Sequence, residues 1–272
     1  MVTPPGEGRP RVSPLSLSAV VTRLRAAGCV FAEDEARLLV SAARTPDDLT
    51  AMVERRASGL PLEHVLGWAE FCGLRVAVDT GVFVPRRRTE FLVRRAVALA
   101  REAPRPLVVV DLCCGSGAVG LALAAALAPV ELHAADVDPA AVRCARRNLA
   151  GTGRVHEGDL YEPLPDALRG RVGVLAANVP YVPTDEVALL PAEAREHEAR
   201  VALDGGADGL DVVRRAAAEA PAWLAPGGHL LVETSERQAP SAAAAFALAG
   251  LLPRVTTSEE AHATVVTGTR PS

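Results

Sequence analysis

From residue 107 to residue 267 the chain alternates short apolar runs with helical patterns. That alternation constrains the fold more than any other feature of the 272 residues. Leu107-Val108-Val109-Val110 is apolar throughout and β-branched at three of its positions, the composition of a strand buried on both faces. A helical pattern over 118–128 follows, then a strand over 131–135. The helix expected over 140–150 has Asp138 as its cap, Pro139 in its first turn and Gly151 just past its end. Further strands are expected over 154–156, 172–177, 229–234 and 263–267. Helices are expected over 209–224, closed by Pro226-Gly227-Gly228, and over 239–249. Strands separated by helices pair in parallel, and the helices cover both faces of the sheet. Ligands of such sheets bind at the carboxyl ends of the strands.

The residues before 107 read differently. Residues 1–15 are polar and rich in Pro and Gly and are expected to form a disordered arm. Three amphipathic patterns, over 16–27, 33–43 and 47–58, make a small helical domain spanning 16–66. Nothing in it is catalytic, and it reads as a substrate-docking module. A β-hairpin linking the two parts is expected over 67–85, turning at Asp79-Thr80-Gly81, and a helix over 89–102 opens the main domain, 86–272.

Composition excludes some classes of function. The formal net charge of −4 counts against a protein that grips duplex nucleic acid, because neutralising phosphates supplies most of that affinity. No stable nucleic-acid binding is expected. The chain has no lysine and no isoleucine, a codon bias that weakens any argument from arginine richness alone. Five irregularly spaced cysteines do not form a disulfide framework and fit a reducing compartment. There is no apolar run of signal-peptide or membrane-span type, so a cytoplasmic monomer without membrane contact is expected.

The first strand of the main domain runs into Asp111-Leu112-Cys113-Cys114-Gly115-Ser116-Gly117-Ala118-Val119-Gly120. A turn of small residues between a strand and a helix lets a ligand approach the backbone closely. Gly115, Gly117 and Gly120 satisfy GxGxxG, and Asp136 ends the next strand at the dinucleotide-binding distance. The turn alone therefore suits a nicotinamide oxidoreductase as well as a methyltransferase. Three features favour methyl transfer. Asp111 precedes the glycines, where a carboxylate suits the cationic end of S-adenosylmethionine and repels a pyrophosphate. Asp159-Leu160 follows the third strand and suits an adenine. Asn178-Val179-Pro180-Tyr181 ends the fourth strand. There the Asn178 side-chain oxygen and a backbone carbonyl can hold both N–H groups of a planar amide or amine. Pro180 restricts Val179 to extended conformations, and Tyr181 offers a flat face. Such a pair serves an exocyclic amine of a nucleic acid or small molecule equally well.

Longer segments make the resemblance specific. Pro61-Leu62-Glu63-His64-Val65-Leu66-Gly67, Ala69-Glu70-Phe71-Cys72-Gly73-Leu74, Ala202-Leu203-Asp204-Gly205-Gly206 with Asp208-Gly209-Leu210, and Ala225-Pro226-Gly227-Gly228 resemble the protein-(glutamine-N5) methyltransferases. These enzymes modify the Gly-Gly-Gln loop of peptide release factors. The likeness covers nearly the whole chain. It implies a Rossmann-like class I methyltransferase fold with a mostly parallel seven-stranded sheet, S-adenosylmethionine as cofactor and a release factor as protein substrate. It further implies that Asp111, Cys113, Cys114, Gly115, Ser116, Gly117, Asp136, Asp159, Leu160 and Asn178 contact the cofactor, and that Asn178, Val179, Pro180 and Tyr181 hold the substrate amide. Four departures mark a divergent subgroup: Val179 where the family has Pro, Cys113 where it has Gly, and Arg87 and Arg88 for the Pro and Glu of its Arg-Pro-Glu-Thr-Glu stretch.

Overall fold

The computed structural model describes residues 15–101 and 106–272. The arm expected over 1–15 lies outside the described residues except for Leu15. The chain divides between Leu66 and Gly67 into two compact units.

The first unit consists of α1 (Leu17–Ala26), α2 (Ala32–Ala42), α3 (Pro46–Ala57) and the short α4 (Leu62–Leu66), which no periodicity had indicated. Ser16 caps α1 by accepting from the Ala19 N–H, and Thr45 caps α3 by accepting from the Asp48 N–H. The apolar faces meet through Val20, Leu24, Leu39, Met52 and Val53. Arg56 of α3 and Glu35 of α2 add a buried two-pronged ion pair, Nε to Oε2 at 2.6 Å and Nη2 to Oε1 at 3.0 Å.

The second unit opens with a hairpin of β1 (Trp68–Phe71) and β2 (Leu74–Ala77). Its turn is Cys72-Gly73 and not Asp79-Thr80-Gly81 as expected. Cys72 (φ 51°) and Gly73 (φ 72°) both take the left-handed conformation that a two-residue hairpin turn requires. Residues 82–84 form no hairpin strand. A helical turn at Arg87–Thr89 leads into α5 (Glu90–Ala100). The expected end of that helix at Glu102 is outside the described residues.

The alternation from residue 107 produces β3 (Leu107–Leu112), α6 (Ala118–Leu127), β4 (Val130–Asp136), α7 (Pro139–Asn148), β5 (Gly153–Glu157), β6 (Val172–Ala177), α8 (Ala192–His197), α9 (Asp211–Trp223), β7 (Leu224–Thr234), α10 (Ala239–Leu248), β8 (Leu252–Ser258) and β9 (Ala263–Thr269). The seven strands lie in the order β5-β4-β3-β6-β7-β9-β8. They are parallel except that β9 runs antiparallel to both neighbours. This is the Rossmann-like sheet expected of a class I methyltransferase. Strands β3 and β6 are buried at every residue, which explains their unbroken apolar sequence.

One local reading changes, and two further elements appear. Pro226-Gly227-Gly228 is not a loop before a strand but lies inside β7. Leu224 already pairs with Val172, and the ladder resumes at His229 with Val174, so residues 225–228 bulge out between them. Strand β8 had no legible pattern because it is an edge strand whose residues are mostly exposed. The segment after β6, for which no element was expected, contains a helical stretch over 184–189 as well as α8.

One face of the sheet packs on α9 and α10 through Trp223 and Phe246, the other on α5 and α6 through Leu92 and Leu123. Phe246 is fully buried. Phe246→Ala is expected to lower the stability of this unit by about 3–5 kcal/mol, the usual cost of emptying a buried phenylalanine site, measured by urea unfolding.

Candidate active site

A cleft of about 710 Å³ opens at the carboxyl ends of the central strands. Each sequence-predicted site residue except Gly117 lines it: Asp111, Cys113–Ser116, Asp136, Asp159-Leu160 and Asn178–Tyr181. They arrive from four consecutive strand ends, β3, β4, β5 and β6, and the parallel ladder sets their relative heights. Leu112 pairs with Ala135 on one side and Ala177 on the other, so the Cys113 turn and Asn178 leave the sheet at the same level.

The turn after β3 is held from both sides. The Cys114 N–H donates to the Ala135 carbonyl at 3.1 Å, and the Gly115 N–H donates to Asp136 Oδ2 at 2.8 Å. Asp136 Oδ1 accepts from the Asp138 N–H at 2.9 Å. Cys113 has φ 52°. A glycine takes that conformation freely, and a side chain takes it at a cost of roughly 1–2 kcal/mol. The turn thus carries a strained cysteine at a position whose backbone suits glycine. Gly117, behind the cleft, lets α6 start against α7, where a Cβ would come within 3.2 Å of Ala145 and Leu149.

Asp111 is almost fully buried. Its Oδ2 accepts from the Gly120 N–H at 2.7 Å, so it anchors the first turn of α6 as well as facing the cleft. No cation is paired with it among the described residues. Burial pushes its pKa up to about 7, against the Gly120 hydrogen bond, and the Asp136 charge adds to the rise. Burial raises Asp136 too, while its backbone hydrogen bonds oppose the change. A buried carboxylate and a half-buried one at one end of the cleft suit a ligand that brings positive charge and hydroxyl groups. They do not suit a pyrophosphate. Asp159 is less available than its sequence suggested, because Arg215 of α9 holds its Oδ2 at 2.5 Å. Leu160, buried with φ 46°, presents an apolar surface beside it.

At the other end, Asn178 Oδ1 is buried and has no hydrogen-bond partner among the described residues. A buried acceptor left open costs free energy unless a ligand supplies the donor. The Val179 carbonyl also accepts no hydrogen bond among the described residues. The loop is clamped from behind. Gln238 Nε2 donates to the Tyr181 carbonyl at 2.8 Å and to the Asp208 carbonyl at 2.9 Å, and the Val182 N–H donates to the Leu203 carbonyl at 3.1 Å. Gly209 (φ 77°) fits only as glycine, because a Cβ there would stand 2.2 Å from the Tyr181 carbonyl oxygen.

Arg86 and Arg88 also line the cleft and pair with acids from distant elements. Arg86 Nη2 meets the buried Glu198 at 2.5 Å. Arg88 donates through Nη2 to the Tyr181 hydroxyl at 2.6 Å and through Nε to Glu233 Oε1 at 3.1 Å, while the Tyr181 hydroxyl donates to the same Glu233 oxygen at 3.3 Å. Glu198, Arg215, Glu233 and Gln238 were not picked out from the sequence. For Glu233 a signal existed: an acid at the carboxyl end of the strand next to β6 falls where ligands bind.

A methyltransferase small domain model matches residues 75–191. The release factor glutamine methyltransferase of Geobacter sulfurreducens is 40% identical over 75% of this chain and 72% of its own. The 4-amino-L-phenylalanine/4-methylamino-L-phenylalanine methyltransferase of Streptomyces pristinaespiralis is 37% identical over 73% of this chain and 69% of its own. In fold, a crystal structure of a ribosomal protein L11 methylase from Lactobacillus delbrueckii subsp. bulgaricus matches with a TM-score of 0.51 at 15% identity, covering 72% of this chain and 84% of that one.

Two measurements test the cofactor end. With the thiol removed in both variants, Cys113→Gly is expected to be more stable than Cys113→Ala by about 1 kcal/mol, because only glycine relieves the left-handed strain; equal urea midpoints would refute it. The pKa of Asp111 in the folded protein, about 7, lies above its usual 3.8. Between these values the native protein keeps a proton that the unfolded chain has released. The contribution of Asp111 to stability therefore falls as pH rises from about 4 to about 7. Asp111→Asn is expected to gain on the parent protein across that window, followed by urea unfolding in the absence of ligand.

Proposed function

The chain belongs to the release factor glutamine methyltransferase family, and we propose that it methylates the side-chain nitrogen of a glutamine in a peptide release factor. Three features of the described residues fit S-adenosylmethionine as the methyl donor. Asp111 is a buried carboxylate without a cation, Asp136 lines the cleft beside the Gly115 turn, and Leu160 forms an apolar wall. Asp111 would hold the cationic amino-acid end, Asp136 the ribose hydroxyls, and Asp159 and Leu160 the adenine. When bound, S-adenosylmethionine supplies an electrophilic methyl group on a sulfonium sulfur.

The observation that carries the acceptor reading is the buried, unpartnered Asn178 Oδ1. Together with the Val179 carbonyl it can accept both N–H groups of a primary amide. An amide nitrogen is a weak nucleophile because its lone pair is delocalised into the carbonyl. Holding both N–H groups turns that nitrogen toward the methyl group and removes the rotational freedom of the side chain. Such orientation is worth roughly 7–11 kcal/mol in well-placed reactants. Val179 does not disturb this scheme, since the group required is its carbonyl, and Pro180 keeps that carbonyl directed.

We assign the helical unit to docking the protein substrate. It has its own apolar core and exposes Val30 (83%) and Phe31 (69%) on the connection between α1 and α2. No helix of the described residues is long and apolar enough to cross a membrane, and we place the protein in the cytoplasm as a monomer.

A second reading is an aromatic amine of a free amino acid, the substrate named for the Streptomyces pristinaespiralis relative. The same two acceptors fit an aryl amine. Incubation with S-adenosylmethionine, followed by mass spectrometry of release factor and of 4-amino-L-phenylalanine, separates the two. We expect the Gly-Gly-Gln peptide to gain one methylene and the amino acid to remain unchanged; the reverse would establish the second reading. Asn178→Ala is expected to cut turnover roughly 100-fold or more, with cofactor affinity kept within about threefold, read by calorimetric titration.

A further inference from the structure

Arg88 stands where the family's stretch carries glutamate. Its side chain is half-exposed at the rim of the cleft, yet it reaches two groups on separate elements, Tyr181 after β6 and Glu233 near the end of β7. The three side chains close a ring of hydrogen bonds with every donor matched to an acceptor. Arg88 Nη2 donates to the Tyr181 oxygen at 2.6 Å, the Tyr181 hydroxyl donates to Glu233 Oε1 at 3.3 Å, and Arg88 Nε donates to the same oxygen at 3.1 Å. The guanidinium carbon lies 5.8 Å from the centre of the Tyr181 ring.

From this ring we propose that Arg88 is a positioning residue, acting through Tyr181 and Glu233 to fix the aromatic wall against which the acceptor nitrogen is presented. The inference rests on the acceptor reading given above for residues 178–181. The main chain of Tyr181 is already fixed by Gln238. What remains free is rotation of its side chain, and the Arg88–Glu233 pair removes it. Glu233 is buried, and burial alone pushes its carboxyl above the usual range. Thr89, the charge of Arg88 and the Tyr181 hydroxyl oppose that push without cancelling it, and the geometry makes Glu233 Oε1 the acceptor for the Tyr181 hydroxyl. A glutamate at position 88 would set two carboxylates against each other and release the phenol. The arginine therefore belongs to a different way of holding the same wall.

The test is a double-mutant cycle on the full-length enzyme with a Gly-Gly-Gln peptide as acceptor. Arg88→Gln is expected to lower kcat roughly 10- to 100-fold, the scale of loss when a reacting group is misplaced, with the KM for S-adenosylmethionine unchanged. In the Tyr181→Phe background the same substitution is expected to have no further effect beyond about twofold, because the hydroxyl through which it acts is gone. Full additivity of the two losses, or a wild-type kcat in Arg88→Gln, would overturn the proposal. Arg88→Lys keeps a counter-charge for Glu233 without the planar fork; should Arg88→Gln not fold, the same non-additivity is expected of it. A readout independent of any acceptor completes the test. The chain has two tyrosines, so tyrosine labelled at the ring Cζ alone gives two ¹³C signals. Substitution of Arg88 should move that of Tyr181 and leave that of Tyr161 in place, and an unmoved Tyr181 signal contradicts the ring. If the wild-type enzyme leaves the peptide unmethylated, the release-factor reading fails, while the tyrosine signals still decide the role of Arg88.

Discussion

The parallel pairing of β3 with β6 sets the level of every group at the cleft. Both strands are buried at all their residues, and their register brings Leu112 beside Ala177. The turn after β3 and the loop after β6 therefore leave the sheet side by side. On one side of this pair the chain crosses to β4 and β5, and on the other to β7. The cleft is the gap between those two directions of crossing. A one-residue slip in this register would exchange the two faces of the strand and separate the Asp111 carboxylate from the Asn178 amide.

Local signals made the strand ends legible. Asp111, Gly115, Asp136 and Asn178–Tyr181 are each set by a short run of residues, a strand followed by a turn, and such runs can be read one at a time. What escaped reading depends on contacts between distant segments. Arg88 and Glu233 are far apart in the chain, and no periodicity links them. The exposed strand β8 shows no alternation, because none of its residues is fully buried. The hairpin turn was misplaced for a different reason. Asp79-Thr80-Gly81 has the composition of a turn, but Cys72-Gly73 has the required backbone, and Cys72 is a poor advertisement for a positive φ.

The departures from the family pattern fall into two kinds. Cys113 and Val179 sit on the main-chain turns after β3 and β6, Cys113 in a left-handed conformation and Val179 buried. Arg88 stands at the rim of the cleft and pairs with Tyr181 and Glu233. Arg87 is exposed, and nothing in the structure explains its replacement of proline.

Strand β9 lies between β7 and β8 and is buried along most of its length, although it follows β8 in the chain. On a ribosome, β8 emerges first and finds no neighbour to join. Its only neighbour is β9, which runs back between β8 and β7 and sets Val265 opposite Glu233. The last strand of the chain thus backs the end of β7 that reaches the cleft.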